Sequence, residues 1–520
     1  MVAPWLFLGA NLREARTARL PHFVLQESEL SQPTFTTSRL RNLRMRTRDG
    51  VTLVADAVRP QDLGRYPVIL ERTVSGREAA LEKAAFWAAR GYVYVAQDCR
   101  GRGDSGGSWL PFANGGRDGS DTITWVTRQP WCDGNVGMVG EGYAATAELL
   151  TAGERPAPLK CLVPRFAVGG LPFENGIFAL RESLELIQNE DLSLGSKGLL
   201  TTPLSELDRD VLGRSSAVFQ SWLRRGPSAE PPVSAPELPT LYVSGWADPN
   251  EIGTMNLWDA AVRRAGRTDQ WLVYGPWANG SEIAAGTAGL EGLTLRFFDT
   301  YLKGRSVDLE KVRKVQAFVA VANRWEALGG WPAPSSTFET RYLAPSGIVS
   351  EAGDAGAAVY VYNPAKDVLQ PETTTGKVKL PTKGTYALFV GAPTPQPTAI
   401  AGPFEVRLFF KSSAGDTDFF ATLVDRAPDG SLWRIAQPGK IRASFRNEKT
   451  SEPLKPGRIY AATLRPWDAA FELKKGHRLG LLVQSSMFPR YARNEQAGPQ
   501  RNVILTGRVT PSRITFRRLR

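Results

Sequence analysis

The chain has 520 residues, 42% of them hydrophobic and 22% charged, with a net charge of +12. Such a length exceeds one compact core and predicts two or three domains of ordinary globular composition. The positive charge is spread along the chain without a focused patch or a binding motif, which argues against nucleic acid as a partner. No run reaches the roughly 18 apolar residues of a membrane span.

Three cysteines (Cys99, Cys132, Cys161) form an odd set without metal-ligand spacing. They predict free thiols in a reducing, cytoplasmic setting, with no metal and no cofactor. Val2 to Ala10 is apolar but short and lacks a basic flank, so no secretory signal is expected. The glycine-rich run Gly101 to Gly107 lacks the lysine of a phosphate loop and predicts no nucleotide site.

In chain order, residues 1–38 read as an N-terminal arm. Leu43 to Thr47 and Val51 to Ala57 flank Asp49-Gly50 and predict a β-hairpin. The alternating arginines 39, 41, 44, 46 and 48 read as its solvated face. Short apolar runs follow at Val68–Leu70, Tyr92–Ala96, Val136–Val139, Leu159–Val163, Thr240–Ser244 and Trp271–Tyr274. Runs without alternation suit strands buried on both faces of a mostly parallel sheet. Helical stretches such as 78–90, 120–128 and 293–302 lie between them, which predicts an α/β domain over residues 39–167 and 237–334. Residues 168–236 break this pattern with helices near 178–188 and 216–224, and read as an inserted helical cap. Residues 335–520 are all-β by pattern, with strands at 404–410, 419–424, 459–464 and 479–483, and predict a jelly-roll sandwich. The arginines at 513, 517, 518 and 520 read as a frayed basic tail.

The chemistry concentrates at Val136-Gly137-Met138-Val139-Gly140-Glu141-Gly142-Tyr143, a strand running into a sharp turn and a helix. In α/β-hydrolases this turn is G-x-S-x-G and presents a nucleophilic serine; here the serine position holds Gly142. Further on, Gly275-Pro276-Trp277-Ala278-Asn279-Gly280 has asparagine where a catalytic histidine is expected. The chain has two histidines; His477 reads as structural and His22 lies in the arm.

These residues resemble the cocaine esterase and X-prolyl dipeptidyl peptidase family of serine hydrolases. The phrases that carry the likeness are Arg48-Asp49-Gly50-Val51, Gln97-Asp98-Cys99-Arg100-Gly101-Arg102-Gly103-Asp104-Ser105, Gln129-Pro130-Trp131-Cys132-Asp133-Gly134, Gly245-Trp246-Ala247-Asp248, Gly275-Pro276-Trp277, 298–304 and Gly476-His477-Arg478-Leu479. The resemblance implies an α/β-hydrolase fold with an inserted helical cap and a C-terminal jelly roll, the pocket lying where the three meet. It also implies a Ser, Asp, His triad helped by a tyrosine in an R-T-P-Y-G phrase. Against that pattern the serine is Gly142, the histidine Asn279 and the tyrosine Ser75, while Asp248 is retained. The second elbow glycine is Ala145.

Without a nucleophile or a titrating base, acyl-enzyme chemistry has no agents. Losing either costs about 10⁶ in turnover in a serine protease. The favoured expectation is therefore a repurposed pocket that binds an ester, amide or carboxylate small molecule. Ser75, Tyr143, Trp246 and Trp277 are its ligand-binding candidates. Asp248, with Glu141 as a second carboxylate, is the candidate for acid–base chemistry of a cyclase, lyase or isomerase. Glu141 paired with an arginine, and Asp248 as a hydrogen-bonded relic, are the bland alternatives. Two other functions stay open: an active ester or amide hydrolase with displaced catalytic groups, and a non-catalytic partner or structural protein. Self-association into a homo-oligomer is compatible with each.

Overall fold

The structure is a computed structural model and describes residues 30–168, 172–188, 197–228, 233–248, 251–277, 290–366, 376–496 and 498–519. His22, Asn279 and most of the N-terminal arm lie outside the described residues.

A ten-stranded sheet carries the N-terminal part. Its strands are β1 (Thr37–Arg46), β2 (Thr52–Pro60), β3 (Tyr66–Thr73), β4 (Val93–Asp98), β5 (Cys132–Glu141), β6 (Leu159–Arg165), β7 (Thr240–Gly245), β8 (Gln270–Gly275), β9 (Val315–Val319) and β10 (Arg324–Leu328). They lie side by side in the order β1-β2-β4-β3-β5-β6-β7-β8-β9-β10. From β4 to β9 every pairing is parallel, while β1, β2 and β10 run antiparallel. Each parallel strand is apolar through its middle because helices cover both faces. The covering helices include α1 (Arg77–Ala80), α2 (Ala84–Ala88), α3 (Gly115–Thr127), α4 (Tyr143–Gly153) and, beyond the cap, Leu290–Lys303. The expected helix over 78–90 is broken by a 3₁₀ turn at Leu81–Lys83.

The expected hairpin forms: β1 pairs β2 across Asp49-Gly50, with Gly50 at φ 87°. Its arginines are not uniformly solvated, since Arg39 turns back onto the buried Asp56 at 2.6 Å.

Within the cap, α5 (Leu180–Gln188), α6 (Leu207–Leu212) and α7 (Ala217–Arg225) are helical. The Ser216 hydroxyl caps α7 by accepting the Phe219 N–H. Leu184, Leu207, Phe219 and Trp222 form a small core that includes Phe488 and Ala492 from the C-terminal β domain. Two cations reinforce this junction. Lys440 is almost fully buried, pairs with Glu174, and lies 4.9 and 4.7 Å from the rings of Trp467 and Tyr491. Arg490 contacts the same rings and pairs with Glu182 of α5 at 2.8 Å.

The C-terminal domain packs an eight-stranded sheet and a five-stranded sheet, both antiparallel, into the jelly roll. The basic stretch expected to fray is instead the strand Arg513–Arg518, paired on both sides within the eight-stranded sheet. Its Ile514, Thr515 and Phe516 are buried, and the arginines at 513, 517 and 518 are partly exposed at its ends.

Asp468 ties the β domain to the hydrolase sheet. Its carboxylate accepts the Trp331 indole N–H at 2.6 Å, and its backbone carbonyl accepts the Tyr274 hydroxyl. Burial lifts this carboxyl to about 6 although the indole bond favours its charged form. The folded state therefore holds the proton more tightly than the unfolded chain, whose value is near 3.8. The resulting stability is complete below pH 3.8 and is lost as pH rises through 6. The shift corresponds to about 3 kcal/mol. Asp468→Asn should flatten the fall in urea stability between pH 4 and 6.5; an unchanged profile would refute the assignment.

Candidate functional site

At the end of β5 the chain turns sharply into α4. Gly142, at the turn, has φ 61° and ψ −120°. A residue with a side chain pays roughly 1–3 kcal/mol for such a conformation, whereas glycine adopts it freely. A Cβ on Gly140 would stand 2.4 Å from the backbone of Ala144, so strand and helix cross this closely only over glycine. The smallest side chain suffices at Ala145, which is fully buried. The Gly142 N–H donates to the Arg165 carbonyl at 2.9 Å, and its carbonyl accepts from the Thr146 N–H at 3.2 Å. The first N–H groups of α4 have no preceding helical carbonyl to bond, the general condition for a helix terminus to take an anion or a carbonyl oxygen.

A cavity of about 420 Å³ adjoins this turn. Four of the residues singled out in the sequence line it together: Ser75, Glu141, Gly142 and Tyr143. Glu71 and Thr73 from the end of β3, Lys83 from the 3₁₀ turn, and Glu182 and Glu185 from α5 line it too. Its described ionisable lining is thus four carboxylates and one ammonium.

Tyr143 is anchored rather than reactive. Its hydroxyl accepts the Phe112 N–H at 2.7 Å and its ring packs edge-on against Trp109 at 4.8 Å. Burial pushes its phenol well up, so it stays neutral.

Ser75 is exposed to the cavity on a loop held by an ionic network. Its own N–H donates to Thr73 Oγ1 at 3.1 Å. Two residues on, Arg77 donates to Asp56 at 2.8 Å and to Asn42 at 2.8 Å, and pairs with Asp98 and Asp104. Asp56 and Asp98 are each 1% exposed; Arg77 compensates the burial of Asp98 and shares that of Asp56 with Arg39.

The remaining predicted residues lie elsewhere. Asp248 follows β7, is completely buried, and donates its N–H to the Gly245 carbonyl at 3.0 Å. It is absent from the described lining of the cavity. Trp246 and Trp277, expected in the pocket wall, are absent from that lining as well. Trp246 stacks edge-on with Tyr274 at 5.2 Å and borders a water-sized gap beside Ile435 and Phe471 of the β domain. Trp277 donates its indole N–H to the Ser244 carbonyl at 2.9 Å and packs on Trp325 at 5.4 Å. Both are held by domain-junction and sheet-edge packing. His477 pairs with Asp425 at 2.8 Å in the β domain. The three cysteines are buried, free thiols, and burial pushes each upward, away from thiolate. Among the described residues no group of His, Cys, Asp and Glu could hold a metal, and no helix is long and apolar enough to cross a membrane.

Two family models tile the chain: X-Pro dipeptidyl-peptidase (S15 family) over residues 49–279, and the X-Pro dipeptidyl-peptidase C-terminal non-catalytic domain over 306–515. The chain belongs to the X-Pro dipeptidyl-peptidase family. A relative within reach of sequence is the cocaine esterase of Rhodococcus sp. (strain MB1 Bresler), 28% identical over 88% of this chain and 92% of its own. Among solved structures, an aminopeptidase from a marine sediment Thaumarchaeota archaeon superposes with a TM-score of 0.78 at 20% identity, covering 94% of this chain and 97% of its own. An α-amino acid ester hydrolase does so at 0.76 and 21%, covering 93% and 97%. These structures establish the α/β-hydrolase fold with its cap and jelly roll.

Reading the family's phrases misses Glu71, Lys83, Glu182 and Glu185. Glu71 had a usable signal, since it is a charge inside the buried strand Tyr66–Thr73, near the end where α/β folds place ligands. Arg77→Ala should lower stability to urea by about 3–5 kcal/mol, because the buried Asp98 loses its cation and Asp56 keeps only Arg39. A loss below 1 kcal/mol would show that the network does not hold the Ser75 loop.

Proposed function

We propose that this family member does not hydrolyse through a serine acyl-enzyme, and that its elbow cavity binds a small ester, amide or carboxylate ligand for non-hydrolytic use, including acid–base chemistry of the cyclase, lyase or isomerase kind. One observation carries this reading: the elbow has its sharp turn, with a backbone that would strain any side-chain-bearing residue, and the residue at its tip is Gly142, which has no side chain to attack a carbonyl. In the sequence the family's histidine position is Asn279, which does not titrate.

The cavity supports binding. The N–H groups opening α4 offer donors to a ligand oxygen, and the absent serine side chain leaves room for it. Ser75 adds a hydroxyl at the rim. The four carboxylates that line the cavity make a neutral ester or amide a better match than a free carboxylate. They also supply acid–base groups inside the cavity, Glu141 among them, whereas the buried Asp248 would have to act from outside its described lining.

A serine-directed fluorophosphonate should leave the pure protein unlabelled over hours, read by intact-mass spectrometry; stoichiometric labelling would overturn the proposal. Gly142→Ser should introduce one labelled site at a cost of about 1–3 kcal/mol in stability, the strain of placing a side chain at that backbone geometry. Adding Asn279→His should raise ester cleavage further if the scaffold retains the family's layout.

A further inference from the structure

Three adjacent parallel strands each carry a charge at the C-terminal end of an otherwise apolar run: Glu71 on β3, Glu141 on β5 and Arg165 on β6. Glu141 and Arg165 stand in register on neighbouring strands. Arg165 is bound by Glu291 at 2.9 Å and by the Thr294 hydroxyl at 3.1 Å, both from Leu290–Lys303. That arrangement neutralises one end of the row. At the other end, Glu71 is 6% exposed yet lines the cavity.

The two oxygens of Glu71 have different surroundings. Oε2 accepts the Tyr94 hydroxyl and lies 3.2 Å from Lys83 Nζ. Oε1 has no hydrogen-bond donor among the described residues. Burial, followed by the nearby Glu71 charge, pushes the Tyr94 phenol far up, so it remains a fixed donor. Glu71 is therefore a carboxylate clamped through one oxygen, in a cavity it shares with the start of α4. Clamping fixes its orientation, which is what a base acting on a weakly acidic carbon requires.

We propose that Glu71 is the catalytic base of this cavity, and that the reaction begins by removing a proton from the carbon next to the carbonyl of a bound ester or amide. The inference rests on the non-hydrolytic reading above and adds the reaction class and the residue. The C–H bond breaks and its proton passes to Glu71 Oε1. The bonding pair moves into a carbon–carbon double bond as the carbonyl becomes an enolate oxygen. The N–H of Tyr143, opening α4, receives that oxygen. The proton on Glu71 exchanges with solvent, and a solvent-derived proton is returned to the same carbon, which regenerates the ester; the net reaction is hydrogen exchange with water and needs no oxidant or other co-reactant. Tyr94 and Lys83 act through Glu71 and are positioning residues.

The test uses the full chain and methyl phenylacetate in D₂O, followed by proton NMR. The expected result is loss of the CH₂ signal to deuterium while the methyl ester signal stays intact. Glu71→Gln should lower the exchange rate at saturating ester by 10²-fold or more, about the contribution of a general base. Tyr94→Phe should lower that rate without moving the half-saturating concentration. If Glu71→Gln does not fold, Glu71→Asp reads the same step, because the carboxylate is withdrawn by one methylene. Exchange within threefold of wild type in a folded Glu71 variant overturns the proposal. So does ester binding, seen by saturation transfer, without exchange. Methanol release would instead overturn the non-hydrolytic reading, and absence of both binding and exchange would overturn the two together.

Discussion

Burying charge at the ends of neighbouring parallel strands is the constraint around which the site is built. An isolated ion in such a place costs several kcal/mol, and a buried pair merely recovers that outlay. Glu71 and Arg165 are both mostly buried, so each has partners brought by other elements. Leu290–Lys303 supplies Glu291 and Thr294, β4 supplies Tyr94, and the 3₁₀ turn after α1 supplies Lys83. Replacing all of these by packed apolar residues would serve stability as well. Their position beside the cavity is what supports the functional reading proposed above.

The elbow carries a second constraint with the same logic. Gly140 is required by close crossing of strand and helix, and the N–H of Gly142 is tied to β6 through the Arg165 carbonyl. The backbone shape thus follows from packing around the turn and does not depend on the side chain at its tip. The same helix terminus therefore meets the same cavity whatever residue stands at the tip.

The sequence showed the middle of the sheet strands up to β8, little of their ends, and neither Val315–Val319 nor Arg324–Leu328. Val68–Leu70, Val136–Val139 and Leu159–Val163 are apolar because helices cover both faces, and each run stops where the observed strand goes on into Glu71, Glu141 and Arg165. The elbow motif recovered Glu141; Glu71 and Arg165 had no motif to mark them. Lys83 was hidden by a helix that the chain breaks into two short helices and a 3₁₀ turn. Glu182 and Glu185 look like the solvated face of an amphipathic helix, and only the docking of α5 over the elbow gives them a cavity to line. Trp246 and Trp277 are absent from the described lining, since a phrase can fix a loop's position without fixing where its rings point. In Arg513–Arg518 the apolar Ile514 and Phe516 were overshadowed by the strand's charge.

The stacking of Lys440 and Arg490 against Trp467 and Tyr491 has a further meaning for the architecture. Glu182 belongs to both the cavity wall and this aromatic clamp, so the wall is tied to the β domain as well as to the hydrolase half, where the Trp109 indole donates to the Leu186 carbonyl at 3.1 Å. The module named non-catalytic in the family is, in this chain, part of the scaffolding for one side of the chamber. A hydrolase half cut free of it would keep its floor and lose the Arg490 pairing that steadies Glu182 on that side.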